Sequence, residues 1–157
     1  MNTPPVSTSP RSPALALIGR VLRWLDAVPY TILAIPLRLA GATVFWNSGT
    51  AKLANWDTAL ALFTDEYKVP LLPPELAAYL AVSIELTTPV LLVLGLMTRP
   101  AAAVLLGMVT FIEMFVYPQA WPTHIQWAAM LLVLLCRGPG GLSLDHLLWR
   151  RFGSRSH

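Results

Sequence analysis

Five ionisable residues in an otherwise apolar chain are the ones that could do chemistry: Arg38, Lys52, Glu85, Glu113 and His124. Glu85 stands near the middle of a run (residues 76–97, LAAYLAVSIELTTPVLLVLGLM) that holds no other charge. A run of this length spans a bilayer, because ~20 helical residues cover the ~30 Å hydrocarbon core. A carboxylate at that depth costs on the order of 2.5–3.5 kcal/mol even on the lenient insertion scale, so it needs a partner, a proton or a polar cavity. Arg38 lies about eight residues into its own span and Glu85 about eleven into the next. At 1.5 Å rise per residue the offset is roughly 5 Å, which side chains this long bridge. Arg38, Phe45, Gly49 and Lys52 follow at i, i+7, i+11 and i+14, one face of a helix, and Gly49 between the two cations permits close helix approach.

Two readings of this polar centre stand side by side. In the first, Arg38 and Glu85 form an internal ion pair that fixes the register of a bundle. In the second, the cluster is a proton, ion or quinone site open toward the outer face. Glu113 shares a face with Thr110 and Tyr117, while His124 sits close to water, where an ordinary interfacial histidine competes with a ligand. No metal site is expected. Cys136 is the only cysteine, which excludes an intramolecular disulfide, a CxxC pair and a cysteine-built zinc site. It is expected to be a packed thiol, as Met108 and Met114 are expected to be packing residues. Haem ligation by two histidines fails because His124 is expected outside and His146 and His157 inside. No Ser-His-Asp set is credible, since the serines fall in tails or at caps.

The elements that must position these residues read as an all-α polytopic membrane bundle. Only 12% of the 157 residues are charged and 55% are hydrophobic, against about 25% charged in soluble domains. Residues 1–13 are Pro/Ser/Thr-rich and expected to be disordered, as is the basic tail 152–157. Residues 14–28 place Leu15, Ile18, Leu22 and Leu25 at helical spacing with Arg20 and Arg23 opposite. That fits an amphipathic interfacial helix better than a signal peptide, whose apolar region Arg20 would interrupt. Four spans follow: 30–50, with a kink at Pro36; 76–97; 101–117; and 124–137, which is short. The loop 53–75 is long enough to have structure of its own, with Asp57 capping a short helix that buries Leu60, Phe63 and Tyr67. Thr98-Arg99-Pro100 reads as a turn, Gly138 to Gly141 as a helix terminator, and Ser143 as the cap of a short C-terminal helix, 144–151.

Eight arginines (Arg11, Arg20, Arg23, Arg99, Arg137, Arg150, Arg151, Arg155) fall on one side of these spans, with only Lys52 and Lys68 on the other. The positive-inside rule then puts both termini in the cytoplasm and the long loop outside, and Arg99 marks the inner turn. Trp46, Trp56, Tyr67, Tyr117, Trp121 and Trp127 form the outer aromatic belt. Basic residues at helix ends rather than in a patch argue against a nucleic-acid partner and for membrane lipid.

Four motifs in order carry a family resemblance: R-L-x-x-x-x-x-F-x-x-S-G-x-x-K from Arg38 to Lys52, the lone Glu85, L-G-L-M-T-R-P-A-A from Leu94, and G-P-G-G-L-S-L-D from Gly138. From about Leu37 to His146 the chain resembles the DoxX family of small four-helix bacterial inner-membrane proteins. The runs at 63–78 and 115–124 resemble a subgroup encoded beside copper-binding peptides and their modifying enzymes. The resemblance implies an oxidoreductase subunit of a redox or metal-stress system, with relatives linked to thiosulfate–quinone and thiol-redox complexes. It also implies a membrane or periplasmic protein partner and a quinone as the cofactor to look for. By motif match, Arg38, Lys52, Glu85 and Arg99 are the positions it carries over. The single Cys136 argues against direct thiol exchange, and a non-enzymatic scaffold or transport accessory that docks through the outer loop is the alternative.

Overall fold

A computed structural model describes residues 13–152, and every regular element among them is helical. The elements are α1 (Pro13–Asp26), α2 (Tyr30–Ala54), α3 (Trp56–Ala61), a π-helical turn (Leu62–Tyr67), α4 (Pro74–Leu94), α5 (Thr98–Phe115), a 3₁₀ turn (Pro118–Ala120), α6 (Trp121–Arg137) and α7 (Leu144–Phe152). The two tails expected to be disordered lie mostly outside the described residues; Pro13 already opens α1.

Helices α2, α4, α5 and α6 close a four-membered bundle in which α4 packs chiefly on α2 and α5 chiefly on α6. Its core is made of Ala42, Phe45, Leu92, Ala101, Ala102, Leu105, Val109, Leu131 and Leu134. The alanines let helices approach closely, which is the main source of packing energy where lipid is as apolar as the protein. Helices α4 and α5 are each long and apolar enough to cross a membrane, and α1 and α2, bent by 66°, pass the same test together. Helix α6 has 17 residues, or about 25 Å of rise, slightly less than the hydrocarbon core. Helix α1 buries none of its residues and leaves Leu17, Val21 and Trp24 exposed, as an interfacial helix should.

Several boundaries differ from the sequence expectation, for local reasons. Helix α4 stops at Leu94 because Gly95 takes φ +65°, so the turn is 95–97 and Thr98 already belongs to α5. Asn55, not Asp57, is the N-cap of α3, and no side chain caps it; Asp57 falls in the first turn. Helix α2 runs through Pro36 to Ala54. Cys136 is exposed on the outer face of α6 rather than packed, and Met114 on α5 is 66% exposed.

Beyond α3, the π-turn buries Phe63 and half-buries Tyr67 against Ala77, Ala78 and Ala81 of α4. Lys68 (φ 42°) and Leu71 (φ 69°) then turn the chain into α4, where Pro74 at the first helical position has no N–H to leave unsatisfied. At the opposite end the loop 138–143 folds under α2: the Tyr30 hydroxyl donates to the Gly138 carbonyl and the Gly141 N–H to Thr31 Oγ1. Ser143 caps α7 by accepting from the His146 N–H.

Candidate functional site

The ion pair that reaches Glu85 comes from Lys52, not Arg38. Lys52 Nζ lies 2.7 Å from Glu85 Oε1 and 2.8 Å from Oε2. Ser48, one turn before Lys52, accepts from the same ammonium at 2.7 Å and donates to Glu85 Oε1 at 3.0 Å. The Glu85 side chain is 3% exposed and that of Lys52 14%. Gly49 makes the approach possible, since a Cβ placed there would stand 2.9 Å from Glu85 Cβ. One turn further along α4, Pro89 carries no N–H, so the Glu85 carbonyl has no helical donor.

Arg38 is elsewhere because the ends of α2 and α4 are not level. The first two turns of α2 overhang α4 and rest on the 138–143 loop, so Arg38 meets the C-terminus of α4 and Gly49 meets Glu85. Eleven residues, about 16 Å of rise, separate those two levels on α2. The Arg38 guanidinium donates to the carbonyls of Leu92 (2.7 Å), Leu142 (2.8 Å), Pro139 (3.4 Å) and Val93. The last carbonyls of a helix lack intrahelical donors and carry partial negative charge, so a buried cation is stable there without a carboxylate. Asp145 completes this knot by accepting from the N–H groups that open α5, Met97 at 2.8 Å and Thr98 at 3.1 Å. Arg99 is exposed beside it, its guanidinium reaching the Cys136 carbonyl at 3.4 Å.

A second buried pair joins α5 to α6. His124 is buried, and its Nδ1 lies 2.6 Å from Glu113 Oε2. Short connection through the 3₁₀ turn brings these residues together although eleven positions separate them. Beyond the end of α5, the Tyr117 hydroxyl donates to Glu66 on the π-turn and its ring meets Tyr67 edge to face at 5.7 Å. Burial, and then hydrogen bonding to Glu66, holds the Tyr117 hydroxyl well above the usual tyrosine range. Burial raises Tyr67 as well.

Lys52, Ser48, Glu85, His124, Tyr67 and Tyr117 all line one cavity of about 780 Å³. The rest of its wall is apolar, including Phe45, Phe63, Ala81, Ile84, Met108 and Trp127. Leu80 on α4 with Val104 and Gly107 on α5 line it and are also exposed, so the cavity opens sideways between α4 and α5. Its volume is in the range of small-molecule sites, which combine mostly apolar walls with a few polar groups. Among the described residues no three His, Cys, Asp or Glu side chains converge as a metal site would require.

The family model of DoxX matches residues 33–118, more than half of the chain. The chain belongs to the DoxX family. It is therefore a membrane protein with apolar helices, and Arg38, Lys52, Glu85, Arg99 and Glu113 all fall within the DoxX match. His124 and the 138–145 segment lie beyond it. Neither a curated protein nor a solved structure matches the chain.

Of the five residues expected to form one cluster, the structure brings together Lys52 with Glu85 and Glu113 with His124, and sets Arg38 apart. Ser48 was missed by sequence reasoning, although its spacing of four from Lys52 was a usable signal. Glu66 and Asp145 stand within runs that carry the resemblance, but their contacts were not read, because their partners are distant in the chain.

Proposed function

We propose that this DoxX-family protein is the membrane subunit of a bacterial redox or metal-stress system and holds a lipid-soluble ligand of the quinone class between α2, α4 and α5. The observation that carries this reading is the cavity: apolar walls, one charged and hydrogen-bonded corner at Ser48, Lys52 and Glu85, and a side opening whose rim residues Leu80 and Val104 are apolar. A ligand that partitions into lipid would reach such a mouth directly, and its tail would occupy the apolar length while its polar head met the corner. The long loop uses Phe63, Tyr67 and Val69 on the cavity rather than displaying them to a docking partner, which favours a ligand site over a scaffold.

Both termini face the cytoplasm of the inner membrane in this reading, because among the described residues Arg20, Arg23, Arg99, Arg137, Arg150 and Arg151 fall at the end of the bundle that carries α1 and α7. Reporter fusions after Phe152 should then be active only with a cytoplasmic reporter and fusions at Asp65 only with a periplasmic one; the reverse would overturn the orientation. The ligand itself is tested by purifying the protein in mild detergent, extracting bound quinone, and adding a short-chain benzoquinone during thermal unfolding. Co-purified quinone or a rise in Tm supports the assignment. A quinone-free protein whose Tm ignores the additive contradicts it.

A further inference from the structure

We infer that a second copy of this chain docks on the lipid-facing side of α2 and α4, around Trp46 and Asn47, to form a two-fold dimer within the membrane. Gly49 meets Glu85, which stands at the middle of α4. Asn47 is two positions from Gly49, about 3 Å of rise, so its amide lies near mid-bilayer. It is exposed, on the side of α2 opposite the buried face of Arg38, Phe45 and Gly49. Neighbouring hydroxyls satisfy themselves. Thr43 on α2 and Thr87 on α4, both exposed, donate to the carbonyls of Leu39 (2.8 Å) and Ser83 (2.7 Å), one turn back. The Asn47 amide has two N–H donors and an acceptor, and among the described residues nothing bonds it. Trp46 beside it is 44% exposed at nearly the same depth, away from the interfaces where indoles collect.

A groove of about 290 Å³ lies between Thr43, Trp46 and Asn47 of α2 and Pro89, Val90 and Val93 of α4. A lipid tail would fill this groove but leave the amide unpaired. Copies of one chain insert with the same orientation, so each residue finds its counterpart at its own depth. A two-fold axis along the bilayer normal therefore sets amide against amide, and such a pair bonds reciprocally whichever way each group is turned. The same operation lays Trp46 of each copy against the other's groove. No residue lines both this groove and the ligand cavity, so the dimer does not draw on the cavity wall. The inference stands apart from the quinone reading.

The test places one cysteine at a time on the full chain in its membrane, with Cys136→Ser as background. Thr43→Cys keeps Asn47 and should give a disulfide-linked pair of chains under a lipid-soluble oxidant. Leu132→Cys, on the exposed side of α6, should not. In liposomes of falling protein-to-lipid ratio, photobleaching of the labelled chain should count two copies, and Asn47→Leu should weaken the dimer about tenfold. One copy at every ratio, equal cross-linking from Leu132→Cys, or a dimer that Asn47→Leu leaves as tight overturns the inference. A Thr43→Cys disulfide to a different protein overturns it as well and gives the face to another subunit. The Thr43→Cys comparison retains Asn47 and decides the matter even where Asn47→Leu fails to fold.

Discussion

Glu85 is tolerable in an apolar bundle because Lys52 and Ser48 satisfy it, and that dependence is measurable. Breaking a buried pair by removing one partner leaves an uncompensated charge and typically costs ~3–5 kcal/mol. Lys52→Met and Glu85→Leu should each lower the thermal stability of the detergent-solubilised protein, and the double variant should be more stable than the worse single. Arg38→Met should instead add to Glu85→Leu within about 0.5 kcal/mol, as residues without shared partners do. Strong coupling of Glu85 to Arg38 would contradict the register described above. At the loop end the tyrosines make a second prediction. The fold favours the protonated Tyr117 hydroxyl, so its stabilisation is whole below the ordinary tyrosine value of 10.0 and is lost as pH rises through the higher folded value. Tm should therefore fall with pH above about 10, and Tyr117→Phe should start lower but fall less steeply. Parallel alkaline profiles would show that the hydroxyl is not held in this way.

The pairing of α2 with α4 sets the level at which every polar residue meets its partner. Gly49 is the point of closest approach, with positions for a Cβ at 2.9 Å from Glu85 Cβ and 3.0 Å from Leu86. Gly49→Ala should force the helices apart, lower Tm, and weaken the coupling between Lys52 and Glu85 in the same double-variant cycle; unchanged coupling would mean that the helices slide rather than separate. The apolar runs and their prolines and glycines made the helices legible in the sequence. The face shared by Arg38, Phe45, Gly49 and Lys52 was legible too, and all but Lys52 are fully buried in α2. Depth was not legible, because rise per residue locates a side chain only relative to its own helix end. Here α2 begins about two turns below the end of α4, a stagger created by the 138–143 loop under Tyr30 and Thr31. Counting from both ends as if they were level paired Arg38 with Glu85 and left Lys52 without a partner.

Taken whole, the molecule has two ends with different tasks. At the end that carries α1 and α7, Arg38 and Asp145 tie the α4–α5 turn to the 138–145 segment. At the other end, Lys52–Glu85, Glu113–His124 and the Tyr67–Tyr117 contact surround a cavity that opens between α4 and α5. The family was readable from motif order, but the cavity was not, because its walls come from α2, α4, α5, α6 and the π-turn together. Gly107 offers the sharpest test of its role. It lines the cavity at the exposed mouth, and a Cβ there would meet nothing within 4 Å. Gly107→Phe should therefore fold normally while obstructing the entrance. The decisive measurement is the rise in Tm on adding a short-chain benzoquinone to wild type and to Gly107→Phe. A rise in wild type that disappears in the variant is the predicted result, and an equal rise in both would place the ligand outside this cavity.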